Sequence, residues 1–320
     1  MNDSKMLLVS HAPFIHSGGS VAQRNFNILY AALPAAVLGG IFRFGAPAIA
    51  VLCFSIATAM LWELGFNLVT RQPVRIGDGN AALIGLLFAM LLPATAPWWL
   101  VLTGTFVAVI IGKHIFGGIG ANAFNPVALS MAILMVSWRG YFDFDAMLIH
   151  YDLDFAMAYP LAALKHFGTG AVDEVRLTDL LLGRQSGAIG ATFGLGLLAG
   201  GLYLLLRGFV RWEITLSFLA GIIVTSLIFN IINPDRFAGP GFHIFTGYTL
   251  IGAFFLAPED ASSPVNFVPM LIYGAAGGMM TILIRNIGAY VDGTILAILV
   301  INMINPLIDK IRPKAMGKAV

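Results

Sequence analysis

The stretch VLTGTFVAVIIGKHIFGGIGANAFNPVALSMAILMV, residues 101–136, decides the fold. Both ends of it are strongly apolar, whereas residues 112–126 between them carry a Lys, a His, two Asn and four Gly. Inside a membrane, backbone that is not helical is tolerated only where protein buries it or where it lines a cavity. The pattern therefore predicts two membrane helices joined by an irregular break that lines a buried site.

The composition places the rest of the chain in a membrane as well. The 320 residues are 58% hydrophobic and 11% charged, with a mean hydropathy of +0.87, whereas a soluble domain is about one quarter charged. The sequence thus predicts an all-α integral membrane protein. A net charge of +2 with scattered basic residues does not indicate nucleic-acid binding. The single cysteine, Cys53, excludes an intrachain disulfide and an iron–sulfur cluster held by this chain alone, and we expect it in the apolar core.

Ten hydrophobic segments recur along the chain. Several are shorter than the roughly 20 residues that a full span requires, and Gly- and Asn-rich breaks follow them, which favours helices that end inside the protein. The expected segments lie at about 27–44, 48–69, 80–95, 98–116, 125–138, 187–206, 213–232, 243–257, 268–286 and 292–308.

Basic residues set the expected orientation. With a cytoplasmic N-terminus, 11 Lys and Arg lie on the cytoplasmic side and 7 on or near the other side, so the positive-inside rule places both termini in the cytoplasm. The expected divisions are a cytoplasmic N-terminal segment, a first five-helix unit, an acidic outer loop, a second five-helix unit and a basic cytoplasmic tail. They span residues 1–26, 27–138, 139–186, 187–308 and 309–320.

A weak internal repeat relates the two halves. ALIGLLFAMLLPATAP (82–97) resembles TLIGAFFLAPEDASSP (249–264), at an offset of about 165–172 residues. Two units of five segments each would be inverted relative to each other, and a site would be expected at their interface. Chance similarity between Gly-rich apolar helices is the alternative.

The break at 112–126 supplies most of the candidate cofactor-binding residues. Its glycines allow close approach of the backbone, its asparagines offer the donors and acceptors that suit the polar edge of a flavin or nucleobase, and its phenylalanines offer stacking surfaces. The lysine either meets a phosphate or extends to the lipid headgroups. The candidates are Lys113, Phe116, Gly117, Gly118, Asn122, Phe124 and Asn125.

Two further stretches open helices. In RIGDGNAALIG (75–85), Asp78 or Asn80 can cap the third segment, and the same helix start can bind a polar ligand group. In SGAIGATFG (186–194), Ser186 or Thr192 can begin the sixth segment, or the small residues can serve close helix packing.

The remaining candidates are charged. Glu63 is the carboxylate deepest in an apolar run, and an intramembrane carboxylate indicates function; Glu259 and Asp260 are either exposed loop charges or the lining of a cation vestibule, so all three are candidates for an ion path. Arg285 and Asp292 are further candidates for cofactor binding, and they are expected to pair across the break between the last two segments. No nucleophile–base arrangement and no metal-binding motif is visible, so a reaction would need a bound cofactor.

Six blocks, in order between about residue 10 and residue 313, resemble the RnfD/NqrB family of membrane flavoprotein subunits. They are GDGNAALIGLLFAMLLPATAPWW, GKHIFGGIGANAFNP, GAIGAT, RWEITLSFLAG, LIGAFFLAPEDASSPV and LIRNIGAYVDGTILAILVINMINPLID. The resemblance implies ten transmembrane helices in two inverted five-helix repeats, similar to urea transporters. It also implies a subunit of an Rnf complex that transfers electrons between ferredoxin and NAD with coupled Na⁺ or H⁺ translocation. The implied partners are subunits of the RnfA, RnfB, RnfC, RnfE and RnfG types.

The resemblance also implies an FMN joined through its phosphate to an outer threonine, and a bound riboflavin. Here the chain departs from the family, whose threonine ends a D-G-x-S-x-A-T-P-L run. The best match in position, LDFAMAYPL (153–161), has Tyr159 in place of that threonine. Thr192 ends the similar tail SGAIGAT, but that run aligns better with a different family block. Covalent attachment is therefore in question, and the acidic position of the family's A-T-D-P block is held by Glu259.

Two other functions remain open on the sequence alone. The first is a transporter or channel without a redox role, which would use the inverted repeat as a substrate path. The second is a scaffold subunit of the same complex that has lost its flavin, which Tyr159 favours.

Overall fold

A computed structural model describes residues 20–74, 76–145 and 159–311, and every regular element in these ranges is a helix. Four helices are long and apolar enough to cross a membrane, and five shorter apolar helices lie among them. An additional short helix, residues 249–256, consists of Thr249–Ile251 and Gly252–Leu256. We label these ten helices Val21–Phe44 (α1), Ala46–Val69 (α2), Asn80–Leu91 (α3), Trp98–His114 (α4), Pro126–Ser137 (α5), Gly194–Leu206 (α6), Trp212–Ile232 (α7), 249–256 (α8), Phe267–Asn286 (α9) and Thr294–Ile308 (α10).

Each of the ten expected segments overlaps one of these helices, but the expected start of the sixth is wrong, and the third ends at Leu91 instead of continuing to residue 95. Residues 187–193 form turns, and α6 begins only at Gly194 with Phe193 in the capping position, so neither Ser186 nor Thr192 caps it. The reason is tertiary. The amides of Ile189 and Gly190 donate to the carbonyls at the end of α3, at 3.0 and 2.9 Å, and this competes with helix formation.

Two short helices form the centre of the molecule. In α3 nearly every side chain from Ala81 to Leu91 is buried, and all residues of α8 are buried. The helix α3 ends at Leu91 because the next residue is extended, with ψ at 153°, ahead of Pro93, and proline disfavours helical backbone in the residue before it. The expected segment 243–257 is divided in the structure into Pro240–Phe245 and α8.

Long helices pack closely around this centre. At the contact between α7 and α9, a Cβ added to Gly278 would lie 2.0 Å from the carbonyl oxygen of Phe218, and one added to Gly274 would lie 1.9 Å from Ser217 Oγ. Small residues allow this approach in membrane proteins, where dispersion contacts and hydrogen bonds hold helices together.

The outward surface of these helices is apolar. Leu61, Leu206 and Ile231 are 63%, 79% and 73% exposed, as expected of side chains that face lipid. The expectation that Cys53 lies in the core is wrong, because its side chain is exposed. The buried face of α2 is the one that carries Ser55, whose hydroxyl donates to Gly85 O of α3 at 2.7 Å.

The breaks between helices gather on two faces. On the first, Arg24 bonds to Phe209 O and to Asp260, and Asn25 bonds to Asp78 O. We call it the terminal face; it comprises residues 70–74, 76–79, 115–125, 207–211, 257–266 and 309–311. The second is the long-loop face, which comprises residues 138–145, 159–193, 233–248 and 287–293. The predictions for 1–19, for Arg75, for 146–158 and for the tail from 312 lie outside the described residues.

Candidate functional site

A cavity of about 90 Å³ lies in the terminal-face half of the molecule, enclosed by α1, α3, α8 and the break at 112–126. We call it the central cavity. Its apolar walls include Ile84, Leu87 and Phe254. Its polar lining is Arg24, Asn25, Asn80, Lys113, Asn122, Asn125, Glu259 and Asp260. The fold thus brings together residues from three stretches that the sequence had singled out separately, at 75–85, 112–126 and 259–260, and adds Arg24 and Asn25 of α1 to them.

The start of α3 presents an unsatisfied acceptor to this cavity. Gly79 takes the left-handed conformation with φ of 71°, as expected for a tight turn, and Asp78 Oδ1 accepts a bond from the amide of Asn80 at 2.9 Å. Asn80 itself begins the helix, and its Oδ1 is buried with no hydrogen-bond partner among the described residues. A buried acceptor of this kind is costly unless a water or a ligand donor meets it.

The backbone of the break at 112–126 is irregular because several of its glycines adopt positive φ angles. Gly117 and Gly118 have φ of 113° and 101°, which side-chain-bearing residues rarely adopt. Asn125 ends the break as the N-cap of α5, and its Oδ1 accepts from the amides of Val127 and Ala128 at 3.0 Å each. The capping role of Asn125 follows from the general preference for Asn at this position, although its spacing had been interpreted only as ligand binding.

Asn122 and Glu259 meet across the cavity. Asn122 Nδ2 donates to Phe124 O at 2.9 Å and lies 3.2 Å from both carboxylate oxygens of Glu259. The hydroxyl of Ser262 donates to Glu259 as well, at 2.5 Å. Among the described residues, no ion pair joins Glu259 to a basic side chain. Asp260, by contrast, pairs with Arg24. Neither Glu259 nor Asp260 is therefore a simple exposed loop charge, which was one of the two expectations for them.

Lys113 does not extend to the headgroups. Its side chain is 2% exposed, and its Nζ lies 2.6 Å from Glu63 Oε2. His114 Nε2 is 3.3 Å from the same oxygen, and its ring stacks on Phe66 with 4.0 Å between centroids. Glu63 therefore belongs to a buried ion pair that forms part of the wall behind the cavity.

The aromatic residues of the break lie elsewhere. Phe116 is 39% exposed, and neither it nor Phe124 lines the central cavity, whereas Phe254 and Phe255 of α8 do. The sequence interpretation missed these two, as well as Asn25 and Ser262. The repeat pairing of 82–97 with 249–264 and the family block LIGAFFLAPEDASSPV both include α8, but neither one singles out its phenylalanines.

Arg285 and Asp292 pair as predicted, on the long-loop side of α9 and α10. Arg285 Nη2 lies 3.0 Å from Asp292 Oδ1, and both side chains are almost fully buried. The guanidinium also donates to the carbonyl oxygens of His243 and Thr246. This network holds the start of α10 and does not reach the central cavity.

Tyr159 borders a separate cavity on the long-loop face, with a volume of about 530 Å³. Its side chain is buried, and its ring lies 4.9 Å from that of Phe144. Tyr248 and Asp292 line the same cavity. A phenol offers no aliphatic hydroxyl, so Tyr159 does not fit the threonine-linked FMN of the family.

Thr192 does not fit that linkage either. It is 2% exposed, and its hydroxyl has no hydrogen-bond partner among the described residues. The space beside it is about 10 Å³, and a Cβ added to Gly187 would lie 2.9 Å from Thr192 Cγ2. A phosphate group does not fit there without movement of the chain.

The central cavity combines amide groups with apolar walls. Asn80 Oδ1 supplies a free acceptor, Asn122 supplies an amide, and apolar side chains supply the walls. No group of three or more His, Cys, Asp or Glu side chains in the described ranges is placed to hold a metal ion.

Comparison with known proteins identifies the family. The sequence profile of the NQR2, RnfD, RnfE family matches residues 8–317. The D subunit of the Na(+)-translocating ferredoxin:NAD(+) oxidoreductase complex of Acetobacterium woodii is 34% identical over 306 residues, which cover 95% of this chain and 93% of that protein. The D subunit of the proton-translocating ferredoxin:NAD(+) oxidoreductase complex of Clostridium ljungdahlii is 34% identical over 309 residues, 94% of this chain and 93% of that protein.

A more distant relative covers the chain equally well. The D subunit of the ion-translocating oxidoreductase complex of Yersinia enterocolitica is 31% identical over 345 residues, 97% of this chain and 98% of that protein. These matches extend across both halves of the molecule, including all the breaks that line the central cavity. The chain belongs to the NQR2, RnfD, RnfE family.

Proposed function

We propose that this chain is the RnfD-type membrane subunit of an ion-translocating ferredoxin:NAD⁺ oxidoreductase complex, and that its central cavity binds a flavin without a covalent bond. Relatives with that name cover more than nine tenths of the chain. The observation that carries the site is the unpartnered Oδ1 of Asn80, a residue that lines one cavity together with Asn122 and Glu259. Riboflavin or FMN has the required polar edge. The partners are the other Rnf subunits, of the RnfA, RnfB, RnfC, RnfE and RnfG types.

The residues of this chain position the cofactor and tune it. A bound flavin supplies one- and two-electron transfer. Asn80 and Asn122 orient its polar edge, while Ile84, Leu87 and Phe254 exclude water. Lys113 places a positive charge behind the site, which stabilises an anionic reduced form.

The cavity must widen to accept the ring. Its open volume of about 90 Å³ is well below the volumes of the two long-loop cavities, about 490 and 530 Å³. The pair formed by Arg24 and Asp260 joins α1 to the turn after α8 at the edge of the cavity. We expect this pair to open when the flavin binds, since it is the cross-link between two walls.

We propose that the ten helices form two inverted repeats of five. The short buried helices α3 and α8 run in opposite directions, because the start of α3 and the end of α8 line the same cavity. Each ends in a carbonyl that accepts from a distant side chain: Tyr248 Oη donates to Leu91 O, and Asn125 Nδ2 donates to Leu256 O, both at 3.0 Å. The repeat interface then contains the site, as broken-helix transporters place theirs.

The proposed location is the bacterial inner membrane, with both termini in the cytoplasm. The distribution of Lys and Arg supports this orientation. The terminal face is then cytoplasmic, and a flavin in the central cavity lies on the side where NAD and ferredoxin are found.

Among the three carboxylates considered for an ion path, the contacts favour Glu259. Glu63 is neutralised by Lys113 and Asp260 is paired with Arg24, whereas Glu259 lines the cavity with hydrogen bonds from Asn122 and Ser262. A carboxylate without a basic partner can exchange a cation or a proton as the charge of its surroundings changes. Relatives named for Na⁺ and for H⁺ both exist.

Flavin release from the purified complex tests the proposal. Acid denaturation should release free flavin, and the intact mass of this subunit should equal that of the polypeptide alone. Asn80→Leu and Asn122→Leu should each weaken flavin binding at least about tenfold, because each loses a buried hydrogen bond and leaves a ligand group unpaired. Asn27→Leu, outside the cavity, should leave the flavin content unchanged.

Three results would reject it. Flavin that stays on this polypeptide in a denaturing gel would show covalent attachment. A complex that carries no flavin in this subunit, yet assembles normally with either cavity variant, would favour the flavin-less scaffold. A subunit that moves a solute across proteoliposomes without any redox partner would favour the transporter or channel.

A further inference from the structure

A basic cavity of about 490 Å³ lies on the long-loop face, apart from the central cavity. The helix Pro160–Phe167, the turn at 235–237 and the end of α9 enclose it. Lys165, Arg236 and Arg285 contribute positive charge to its lining, and Asp235 contributes the one carboxylate in that lining. We call it the basic cavity.

Its positive charge is only partly used within the protein. Arg285 is committed to Asp292. Lys165 Nζ donates to Gly288 O and Tyr290 O, at 2.6 and 2.5 Å. Both acceptors are neutral carbonyl groups, so they do not balance the positive charge of the ammonium group. Burial and the nearby guanidinium of Arg139 lower the pKa of Lys165 below its ordinary value, as expected where positive charge is in excess.

Arg236 has no carboxylate partner among the described residues. Its side chain is exposed, and its guanidinium lies 5.4 Å from the ring centroid of Phe237. A guanidinium held over an aromatic ring keeps its outward N–H groups available, and these suit a phosphate oxygen.

Buried polar atoms without partners line the same cavity. His243 is 0% exposed, and neither of its ring nitrogens has a hydrogen-bond partner in the part of the chain that the structure describes; the side-chain nitrogen of Asn286, Nδ2, is also buried and unpartnered there. A neutral imidazole needs both an acceptor and a donor, and orphaned groups of this kind cost free energy when buried. Oxygen-rich ligand groups would satisfy the donors among them.

Apolar side chains stand at the edge of the basic cavity. Phe167 and Ile287 line it and are 79% and 71% exposed. Cationic groups beside exposed apolar ones are typical of a surface that meets lipid at the headgroup level.

We propose that the basic cavity binds an anionic phosphate group, carried either by a phospholipid headgroup or by a soluble phosphate. Arg236 and Lys165 supply the charge, while His243 and Asn286 supply the buried donors. The site lies outside the central cavity and does not depend on the flavin proposed there.

Two probes separate the sources. The full-length subunit is purified into nanodiscs of phosphatidylcholine with or without phosphatidylglycerol, and retained lipid is counted by native mass spectrometry. In parallel, inorganic phosphate is titrated into the phosphatidylcholine sample at constant ionic strength, with binding followed by the shift in melting temperature. Flavin content is measured in every sample, so that loss of the central site is recognised independently.

Arg236→Gln should weaken binding at least about tenfold, which corresponds to ~1.4 kcal/mol. Asn286→Asp should do the same, because it places a negative charge in the cavity. Arg207 is an exposed arginine of the terminal face, so Arg207→Gln is the matched control and should bind as the unaltered chain does.

Preferential retention of phosphatidylglycerol that both variants lose assigns the site to a lipid. Binding of inorganic phosphate that both variants lose assigns it to a soluble anion. The proposal is overturned if the unaltered chain and all three variants bind phosphatidylglycerol and inorganic phosphate equally well. It is also overturned if the unaltered chain binds neither probe.

Discussion

Glu63 and Lys113 show how a single buried pair connects the membrane core to the candidate site. Lys113 lines the central cavity, and its ammonium lies 2.6 Å from Glu63, which has 4% side-chain exposure. Desolvation of both charges is offset only while both are present. The pair therefore keeps the ammonium group of Lys113 buried beside the cavity and out of contact with solvent.

Removal of one partner should cost more than removal of both. Lys113→Met leaves the Glu63 carboxylate buried without the ammonium group, although His114 Nε2 still lies 3.3 Å from it, and we expect the free energy of unfolding to fall by about 3–5 kcal/mol. The double variant Glu63→Gln with Lys113→Met should recover most of that loss, since no uncompensated charge remains. Melting of the detergent-purified subunit measures both. A double variant as unstable as the single one would show that the charges do not interact.

The same pair should set the potential of a bound flavin. Lys113→Met removes positive charge and should lower the midpoint potential by about 30 mV or more, which for two electrons is ~1.4 kcal/mol. Glu63→Gln leaves Lys113 without its counter-ion and should raise the potential. Spectral titration of the complex gives both values, and shifts of the same sign would contradict the role of Lys113.

Asn125 acts at the start of α5 with both ends of its amide. Its oxygen caps the helix, and its nitrogen donates to Leu256 O. Asn125→Ala should lower the free energy of unfolding by about 1–2 kcal/mol. Asn125→Ser keeps an oxygen for the cap but loses the amide donor to Leu256 O, so its stability should fall between those of the unaltered chain and Asn125→Ala. Thermal melts rank the three proteins; equal loss in both variants would assign the whole effect to the bond to Leu256.

At the scale of elements, close helix contacts determine the arrangement of α7 and α9. Gly274 and Gly278 bring the two backbones together at distances that no Cβ could occupy. Their spacing of four residues places both on one face of α9. The apolar periodicity of α9 alone does not reveal this face, because its partner and the lipid are both apolar.

Gly278→Val should force α7 and α9 apart. We expect a loss of about 1–3 kcal/mol in the free energy of unfolding, from overpacking, together with lower yield of the assembled complex. Gly65→Ala is the matched control, since a Cβ at Gly65 meets nothing within 4 Å. Size-exclusion profiles and melting temperatures distinguish them. A Gly278 variant that behaves like the Gly65 variant would show that the two helices do not need this approach.

At the scale of the whole molecule, the proposed orientation puts the terminal face in the cytoplasm and the long-loop face on the other side of the membrane. In a Cys53→Ala background, Arg207→Cys on the terminal face should react with a membrane-impermeant maleimide only after the cells are opened. Arg139→Cys on the long-loop face should react in cells whose outer layer is permeable. Labelling is read as a mass shift. The reverse pattern would invert the orientation, and labelling of both from one side would contradict the separation of the faces.

Much of the fold could be read from local sequence, and specific exceptions show the limit. The end of α3 before Pro93 and the glycine-rich break at 112–126 follow from residues next to them. The start of α6 does not, since the turn at 186–193 bonds to α3, about a hundred residues away. The outward position of Cys53 was missed for a related reason, because its run is apolar on every side and periodicity could not identify the face toward α3.

The chain alone determined where most of the helices and the breaks between them lie, because the length of an apolar run and the backbone preferences of Gly, Pro and Asn are local properties. It also determined that Arg285 and Asp292 would meet, since only a short break separates them. Only the tertiary structure decided that Asn80, Asn122 and Glu259 share one cavity, that Lys113 turns to Glu63, and that Phe254 replaces Phe124 on the wall. Those outcomes depend on how helices distant in sequence cross, and crossing is set by the contacts of many side chains at once.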